Sequence, residues 1–363
     1  MAAPFVNGAD TDAAFFYRSS KVDFVAMTVV SVGSSATTNH PRNIIRYDIR
    51  PKGYTTTMAL YSSHMKSGAM SPDPERRLIE SQKIRDDAEA LPADWTFILG
   101  GDFNIPSGTE AAYQELVGSQ INNEGRFFDP INRSGNWGVS SQAVLHTQDP
   151  AGAGGMDDRF DQLLLSTEFF DGQGLEYIGN RNIPYSLSTW NDPNHSYRAW
   201  GNDGTSWNTT LRITNNSMVG AVIAQALFDS ANGQGHLPVF LDLRVPPKVG
   251  TTGSLSFGKV LQGSKPVFRN LDVANTADTG LWTTSGISNL NYSIQVPSGF
   301  LGTVSAATAA AGATNTHEIV MDTRTPGFKT GNITVQTNDP GQPTVTIPVS
   351  GYVVPRDGRG FLP

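Results

Sequence analysis

Residues Trp95-Thr-Phe-Ile-Leu-Gly-Gly-Asp102-Phe-Asn104 decide how the rest of the chain is understood. Phe97, Ile98 and Leu99 form a short apolar run of the kind found in a fully buried central strand. Gly100 and Gly101 let the backbone turn tightly and approach another group closely. Asp102 and Asn104 lie two residues apart, so in an extended chain their side chains point to the same side. A carboxylate and a carboxamide at the end of a buried strand suggest a site, although Gly, Asp and Asn are also ordinary turn residues.

The chain around this stretch has 363 residues, 38% of them hydrophobic, with 37 Gly and 22 Pro. That composition indicates a loop-rich globular protein with room for two or three domains. Cysteine is absent, which excludes disulfides and thiolate metal sites. No apolar run is long enough to span a bilayer, and no basic-then-apolar secretory signal opens the chain. The net charge is -7, and the first 250 residues carry 27 acids against 19 bases. Such a segment has no global basic field for nucleic acid, so handling phosphates would require local basic groups or a divalent cation.

Upstream, 11–31 is expected to form two strands joined by a polar turn at Arg18–Lys21, and 43–49 and 55–63 another pair around Pro51-Lys-Gly53. The last of these runs into His64-Met-Lys66, which sets an imidazole and an ammonium on one face. Pro72 and Pro74 open a helix over 73–90, with Leu78, Ile79, Ile84 and Ala88 as its buried stripe. Strand, helix and strand in close succession imply layered α/β packing. Downstream, Glu110–Val117 is a short helix and 121–155 a loop. Asp157-Asp158-Arg159-Phe-Asp161 then leads into a buried strand, Gln162–Leu165. A polar loop spans 179–217, a helix is expected over Met218–Asp229, and Gly235-His236-Leu-Pro-Val-Phe-Leu begins a last buried strand.

Beyond Pro246-Pro247 charges thin out, and Thr, Val and Ser alternate without helical period. Strands are expected at 254–260, 266–274, 290–296, 316–322, 331–337 and 343–354, an antiparallel β-sandwich. The expected division is 1–247, a linker at 248–253, a sandwich at 254–355 and a tail at 356–363.

Gly101-Asp102-Phe103-Asn104 after a buried strand closely resembles the endonuclease/exonuclease/phosphatase (DNase I-like) superfamily. His64-Met-Lys66-Ser, Arg159-Phe160-Asp161-Gln and Gly235-His236-Leu-Pro-Val resemble three more of its blocks, in the same order. The chain is further similar to a bacterial subgroup through Leu145-His-Thr-Gln, Gly154-Gly-Met-Asp-Asp-Arg and Gly201-Asn-Asp-Gly. The last hundred residues resemble bacterial immunoglobulin-like domains of the choice-of-anchor and ASPM/SPD-2/Hydin type. The resemblance implies an α+β chain: a four-layer α/β/β/α sandwich followed by an all-β immunoglobulin-like domain.

It also implies Mg²⁺- or Mn²⁺-dependent cleavage of P–O bonds. Asp102 would activate water, Asn104 and His64 would hold the phosphate, and His236 would act as charged donor or general acid/base. Asp161 would orient a catalytic group. Asp102, Asn104 and Asp161 would be the oxygen ligands of the cation. Lys66 and Arg159 would neutralise substrate charge, although Arg159 paired with Asp157 or Asp158 is an even alternative. His146, His195, Asn202 and Asp203 are expected in solvated loops, and His40 and His317 have no supporting context.

The sequence departs from the family pattern twice. Only about fourteen residues precede Phe15, where the family has a strand ending in Asn and a helix ending in Gln-Glu. The main Glu metal ligand is therefore missing, and a start at an internal Met is the expected reason. The second departure is Gly235, which occupies the place of the Asp expected to pair with the family's last His, so His236 is expected to lack its carboxylate. The implied function is a phosphodiesterase-like, nuclease-type hydrolase, impaired as written, acting on a phosphate ester such as nucleic acid or a phospholipid head group. The implied place is the cell surface or outside the cell, with attachment through the sandwich. The alternative is a non-catalytic surface protein that binds through a degenerate hydrolase domain.

Overall fold

Ile44, Ile45, Tyr47 and Ile49 are all buried within one eight-residue strand, so both of its faces must be covered. The computed structural model shows how this is achieved; it describes residues 1–8, 11–152, 154–231 and 235–356. Apart from Arg356, the expected tail at 356–363 lies outside them.

The chain divides into two compact units: Met1–Asp171 with Tyr177–Leu243, and Gly172–Glu176 with Arg244–Pro363. The first is built on a five-stranded sheet in sequential order: β1 (Val22–Ser31), β2 (Ile44–Pro51), β3 (Met58–Ser62), β4 (Thr96–Asp102) and β5 (Asp161–Leu165). β3 and β4 are parallel and the other pairs antiparallel. Parallel neighbours need a crossover, and here it is α1 (Asp73–Glu89). The strands and helices expected at 43–49, 55–63, 73–90, 96–99 and 110–117 are present, the last as α2 (Ala111–Val117). Of the pair expected at 11–31 only β1 is a strand. Its predecessor makes isolated bridges, Val6 with Ala13 and Ala2 with Phe16.

On one face Tyr61, Phe97, Leu99 and Leu164 pack beneath Ile84 and Ala88 of α1 and Leu116 of α2. Each such apolar side chain withdrawn from water contributes about 1.5–3 kcal/mol. The buried side of α1 differs from the expected apolar stripe, because it also carries Arg76, Arg77, Glu80 and Arg85. Arg77 forks onto Glu110 at 2.6 and 2.9 Å and donates to the carbonyls of Lys66 and Gly68. Arg85 donates to the carbonyls of Glu115, Gly118 and Asn122, which ties α2 and its exit loop to α1. Buried charge is tolerable only when paired and hydrogen-bonded in this way.

Ala3, Ile45 and Tyr47 form a cluster on which Val6, Phe15, Phe24 and Leu60 pack. Another gathers Ile131, Leu145, Tyr185 and Tyr197 with Leu163 and Val239. Here the short strands β7 (Arg198–Ala199) and β8 (Val239–Phe240) pair, where a longer strand was expected after His236. The first unit is therefore mixed α and β, and the described residues outside the sheet add short strand pairs. α3 (Gly220–Ser230) occupies the expected 218–229 helix. Two further two-residue strands, β6 (Glu176–Tyr177) and β9 (Leu243–Arg244), lie where the units divide.

The second unit is almost wholly β, apart from the single-turn α4 (Thr279–Trp282). One sheet joins β10 (Val249–Thr251), β12 (Val267–Asn275), β16 (Thr314–Met321) and β14 (Phe300–Leu301). The other joins β11 (Leu255–Leu261), β18 (Thr344–Val354), β17 (Gly327–Thr337), β13 (Leu290–Gln295) and β15 (Val304–Ala309). Alternate residues of both, such as Leu271, Val273, Ile319, Ile333, Val335 and Ile347, fill one shared core. The segment expected as a linker at 248–253 contains β10, paired with β12. No helix among the described residues is long and apolar enough to cross a membrane.

Candidate functional site

β4 ends in Gly100, Gly101 and Asp102, and the backbone departs sharply there. Gly101 sits at φ 147°, and a Cβ placed on it would lie 1.9 Å from the Ser63 carbonyl oxygen. Only glycine permits this approach of β4 to the chain leaving β3. The approach continues as Met65 N–H donates to the Asp102 carbonyl at 2.9 Å, which carries His64 to the side of Asp102. His64 Nε2 lies 3.2 Å from Asp102 Oδ2. α1 and the approach to β2 secure the same segment, since Glu80 of α1 accepts from Lys66 N–H at 2.9 Å and Arg42, just before β2, donates to the Met65 carbonyl at 2.8 Å.

Asn104 takes a left-handed conformation, φ 52°, and its N–H donates to Asp102 Oδ1 at 2.9 Å. Its side-chain amide donates to the Met65 carbonyl at 3.1 Å. Asn is among the few side chains that tolerate this backbone region, so the Asp-x-Asn spacing serves the turn as well as the site.

The antiparallel register of β4 and β5 sets Asp102 directly opposite Asp161. His236 enters from a distant segment. It bridges Gln148, and Leu237 N–H donates to Thr147 O while Thr147 N–H donates to Asp158 O. His236 Nδ1 then lies 2.7 Å from Asp161 Oδ2, with Nε2 3.9 Å from Asp102 Oδ2. The expectation that Gly235 leaves His236 without a carboxylate is therefore corrected, because Asp161 supplies one from the neighbouring strand. Burial pulls the His236 pKa down. The hydrogen bond to Asp161 and the charges of Asp161, Asp102 and Asp149 outweigh it and hold the imidazole above its ordinary value. This bond fixes the Nδ1–H tautomer, leaving Nε2 to donate or accept a proton.

The structure brings together His64, Asp102, Asn104, Asp161 and His236. It does not bring Arg159 to them. That side chain is fully buried, forks onto Asp129 at 2.8 and 3.1 Å, and lies over the rings of Trp137 and Tyr197. Its partner is Asp129, not Asp157 or Asp158, and it braces the fold. The Lys66 ammonium is engaged with Asp73 at 3.0 Å and with the Ser67 carbonyl.

Sequence reasoning missed Asp149, which is almost fully buried beside this cluster with Oδ1 unpartnered. Burial first, and the charge of Asp157 next, raise its pKa. Asp158 is pushed up to about 6 by burial and then by Asp157 and Asp149. Asp149 follows the Leu145-His-Thr-Gln stretch, which was the one available signal. His146 and His195, expected in solvated loops, are buried and bonded to backbone carbonyls of Trp137 and Ile183. Asn202 and Asp203 are likewise buried, and Asn202 clamps the carbonyls of Ala143 and His146. His40 packs in the core against Glu80 and Arg42, and His317 bonds Tyr292.

The fit to a divalent cation is poor. Asp102 Oδ1 is taken by Asn104 N–H, its Oδ2 by His64, and Asp161 Oδ2 by His236. Among the described residues no group of three or more His, Asp or Glu is placed to hold a metal. The cluster can offer the imidazoles of His64 and His236 as donors to an oxyanion, with Asp102 between them as an acceptor for a water or hydroxyl proton.

No family model matches the chain, and no curated protein matches it. Solved structures give weak partial similarity. A functionally unknown conserved protein from Enterococcus faecalis V583 aligns at 11% identity over 68% of this chain and 76% of its own, with a TM-score of 0.38. The human Nocturnin catalytic domain with bound sulfate aligns at 13% identity over 46% and 54%, with a TM-score of 0.32. Humanized D. rerio TDP2 aligns at 15% over 44% and 55%, with a TM-score of 0.28. The chain thus spans about half the length of the last two, and likenesses this weak carry no inference about function.

Proposed function

We propose that the first unit is a DNase I-like, phosphodiesterase-type hydrolase domain, impaired as written, and that the second is an immunoglobulin-like sandwich that attaches or spaces it. One observation carries the reading: four separate segments deliver His64, Asp102, Asp161 and His236 to one place, with His236 held by Asp161 at 2.7 Å and facing Asp102 at 3.9 Å. A structural histidine needs one partner; here two imidazoles flank one carboxylate that also ends a central strand.

In this reading His236, kept protonated by Asp161, donates from Nε2 to a phosphoryl oxygen and stabilises the charge that develops there. Asp102 orients the attacking water and accepts its proton. His64 Nε2 donates to a second oxygen or to the leaving group. Asp161 positions His236 and supports its positive charge. The reading is of an impaired domain because both Asp102 oxygens are engaged, by Asn104 N–H and by His64, Asp161 Oδ2 is engaged by His236, and no group of three or more His, Asp or Glu among the described residues is placed to hold a metal. The same observation favours a second reading, in which the cluster binds a phosphate ester without turning it over.

The full chain assayed on bis-p-nitrophenyl phosphate and plasmid DNA, with and without Mg²⁺ or Mn²⁺, tests both. Slow hydrolysis abolished in Asp102→Asn supports the hydrolase. Saturable binding without turnover supports the binding reading. Neither binding nor turnover sinks both.

A further inference from the structure

Away from the His236 cluster, a cavity of about 340 Å³ is walled by three arginines, Arg126, Arg133 and Arg181, around Phe128. Its one carboxylate is Asp129, and that group is already saturated. Oδ1 accepts from Arg159 and Ile131 N–H, and Oδ2 accepts from Arg159 and the Tyr113 hydroxyl. Among the described residues no acid lies within ion-pair distance of the three lining arginines.

Their donors are only partly used. Arg126 Nε donates to the Val117 carbonyl at 2.7 Å, and Arg133 spends Nε and one amino group on the Tyr185 carbonyl. Arg181 forms no hydrogen bond among the described residues. Its guanidinium is stacked 4.1 Å from the Phe128 ring centre and 4.6 Å from that of Phe170, and its Nη1 is fully buried without a partner. Arg126 lies over the same Phe128 ring at 4.8 Å. An unsatisfied buried donor on a cation is among the costlier arrangements a protein can hold. Burial lowers the pKa of Arg133 against the opposing charge of Asp192, and burial and then the charge of Arg126 lower that of Arg181. Aromatic stacking keeps the guanidinium plane fixed, so the donors are held in place rather than left to swing into solvent. Asn132 and Ser134 add short polar groups to the wall.

We propose that this cavity binds a phosphoryl group, free or borne on a larger phosphoester, through the arginine fork donors of Arg126, Arg133 and Arg181. Guanidinium geometry matches phosphate oxygens bidentately, and the volume admits a group larger than the oxyanion itself. The site shares no residue with the His236 cluster and does not depend on hydrolysis there.

Calorimetric titration of the full chain at low ionic strength tests it, with inorganic phosphate, pyrophosphate and a thymidine hexanucleotide lacking terminal phosphates as probes. Binding of phosphate or pyrophosphate that weakens about tenfold in Arg126→Gln and in Arg181→Gln, the loss of one charge-assisted bond, supports a free phosphoryl ligand. The same loss seen with the hexanucleotide alone supports a strand-borne phosphate. Arg181→Lys keeps the charge but not the fork, and an intermediate affinity in that variant, with an unchanged melting temperature, guards against misfolding. No binding of any probe by the folded wild type, or wild-type affinity in both Gln variants, overturns the proposal.

Discussion

His236 Nδ1 lies 2.7 Å from Asp161 Oδ2, across seventy-five residues of chain, and this pair sets the protonation of the site. The raised imidazole pKa has a definite sign. Its stabilising share is fully present below the ordinary histidine value and is lost as pH rises through the raised folded value. Asp161→Asn is expected to lower stability below that value by about 1.5–3 kcal/mol, the worth of one charge-assisted bond. Urea denaturation between pH 5 and pH 9 (roughly the window in which histidine changes charge) measures it. A profile identical to wild type would remove the pair from the argument.

The same variant acts on turnover. Any hydrolysis is expected to decline as pH rises through the raised value, and in Asp161→Asn that decline moves to lower pH. The rate itself should fall roughly 10²–10⁴-fold, the range for a general acid or base. A pH–rate profile separates this from simple unfolding, which would scale the whole curve without moving it.

Arg159 predicts a different outcome. Arg159→Ala leaves Asp129 buried and unpaired, at a cost of about 3–5 kcal/mol. Chemical denaturation should register that loss. KM for a phosphate ester should stay within twofold or so of wild type in the protein that remains folded, the pattern of a change outside the site. A large KM change at intact stability would put this arginine back among the substrate contacts.

Gly101 offers a steric test. A methyl group there would stand 1.9 Å from the Ser63 carbonyl, at φ 147°. Gly101→Ala is expected to destabilise by roughly 1–3 kcal/mol or more and to displace the His64 segment, read as a lower melting temperature.

Glu80 gives a further pH dependence. Burial chiefly raises its carboxyl to about 7, against opposing help from Lys66 N–H and the arginines around it. A carboxyl raised on folding withdraws stability as pH climbs from its unfolded value, about 4.3, towards that folded value. Glu80→Gln should flatten the stability curve over this window. An unchanged slope between those limits would show that Glu80 does not titrate there.

Much of the frame was legible because its signals are local. Phe97–Leu99, Gln162–Leu165 and the alternation in 43–63 identify themselves by pattern, and each strand end brought its polar residue with it. What escaped was non-local. Gly235 drew attention to the position beside His236, whereas the carboxylate arrives from β5, and no sequence spacing encodes that. Arg159 looked like a site residue because it stands two positions from Asp161, and in a strand that spacing does not reveal burial on the Asp129 side. Most of α1's buried face is guanidinium and carboxylate, which hydrophobic periodicity cannot detect. His146 and His195 looked loop-borne and solvated because loops usually are, yet their ring nitrogens hold backbone carbonyls together.

Asp102 stands opposite Asp161 only because β4 and β5 pair in one register. Side chains alternate across a sheet, so a slip by a single residue would send one of the two carboxylates to the far face. The contact between His236 and both acids thus reports on pairing. Chains that fold with the sheet misaligned keep their strands and most of their apolar burial but lose the shifted imidazole. The titration of one histidine would count the correctly aligned molecules in a preparation.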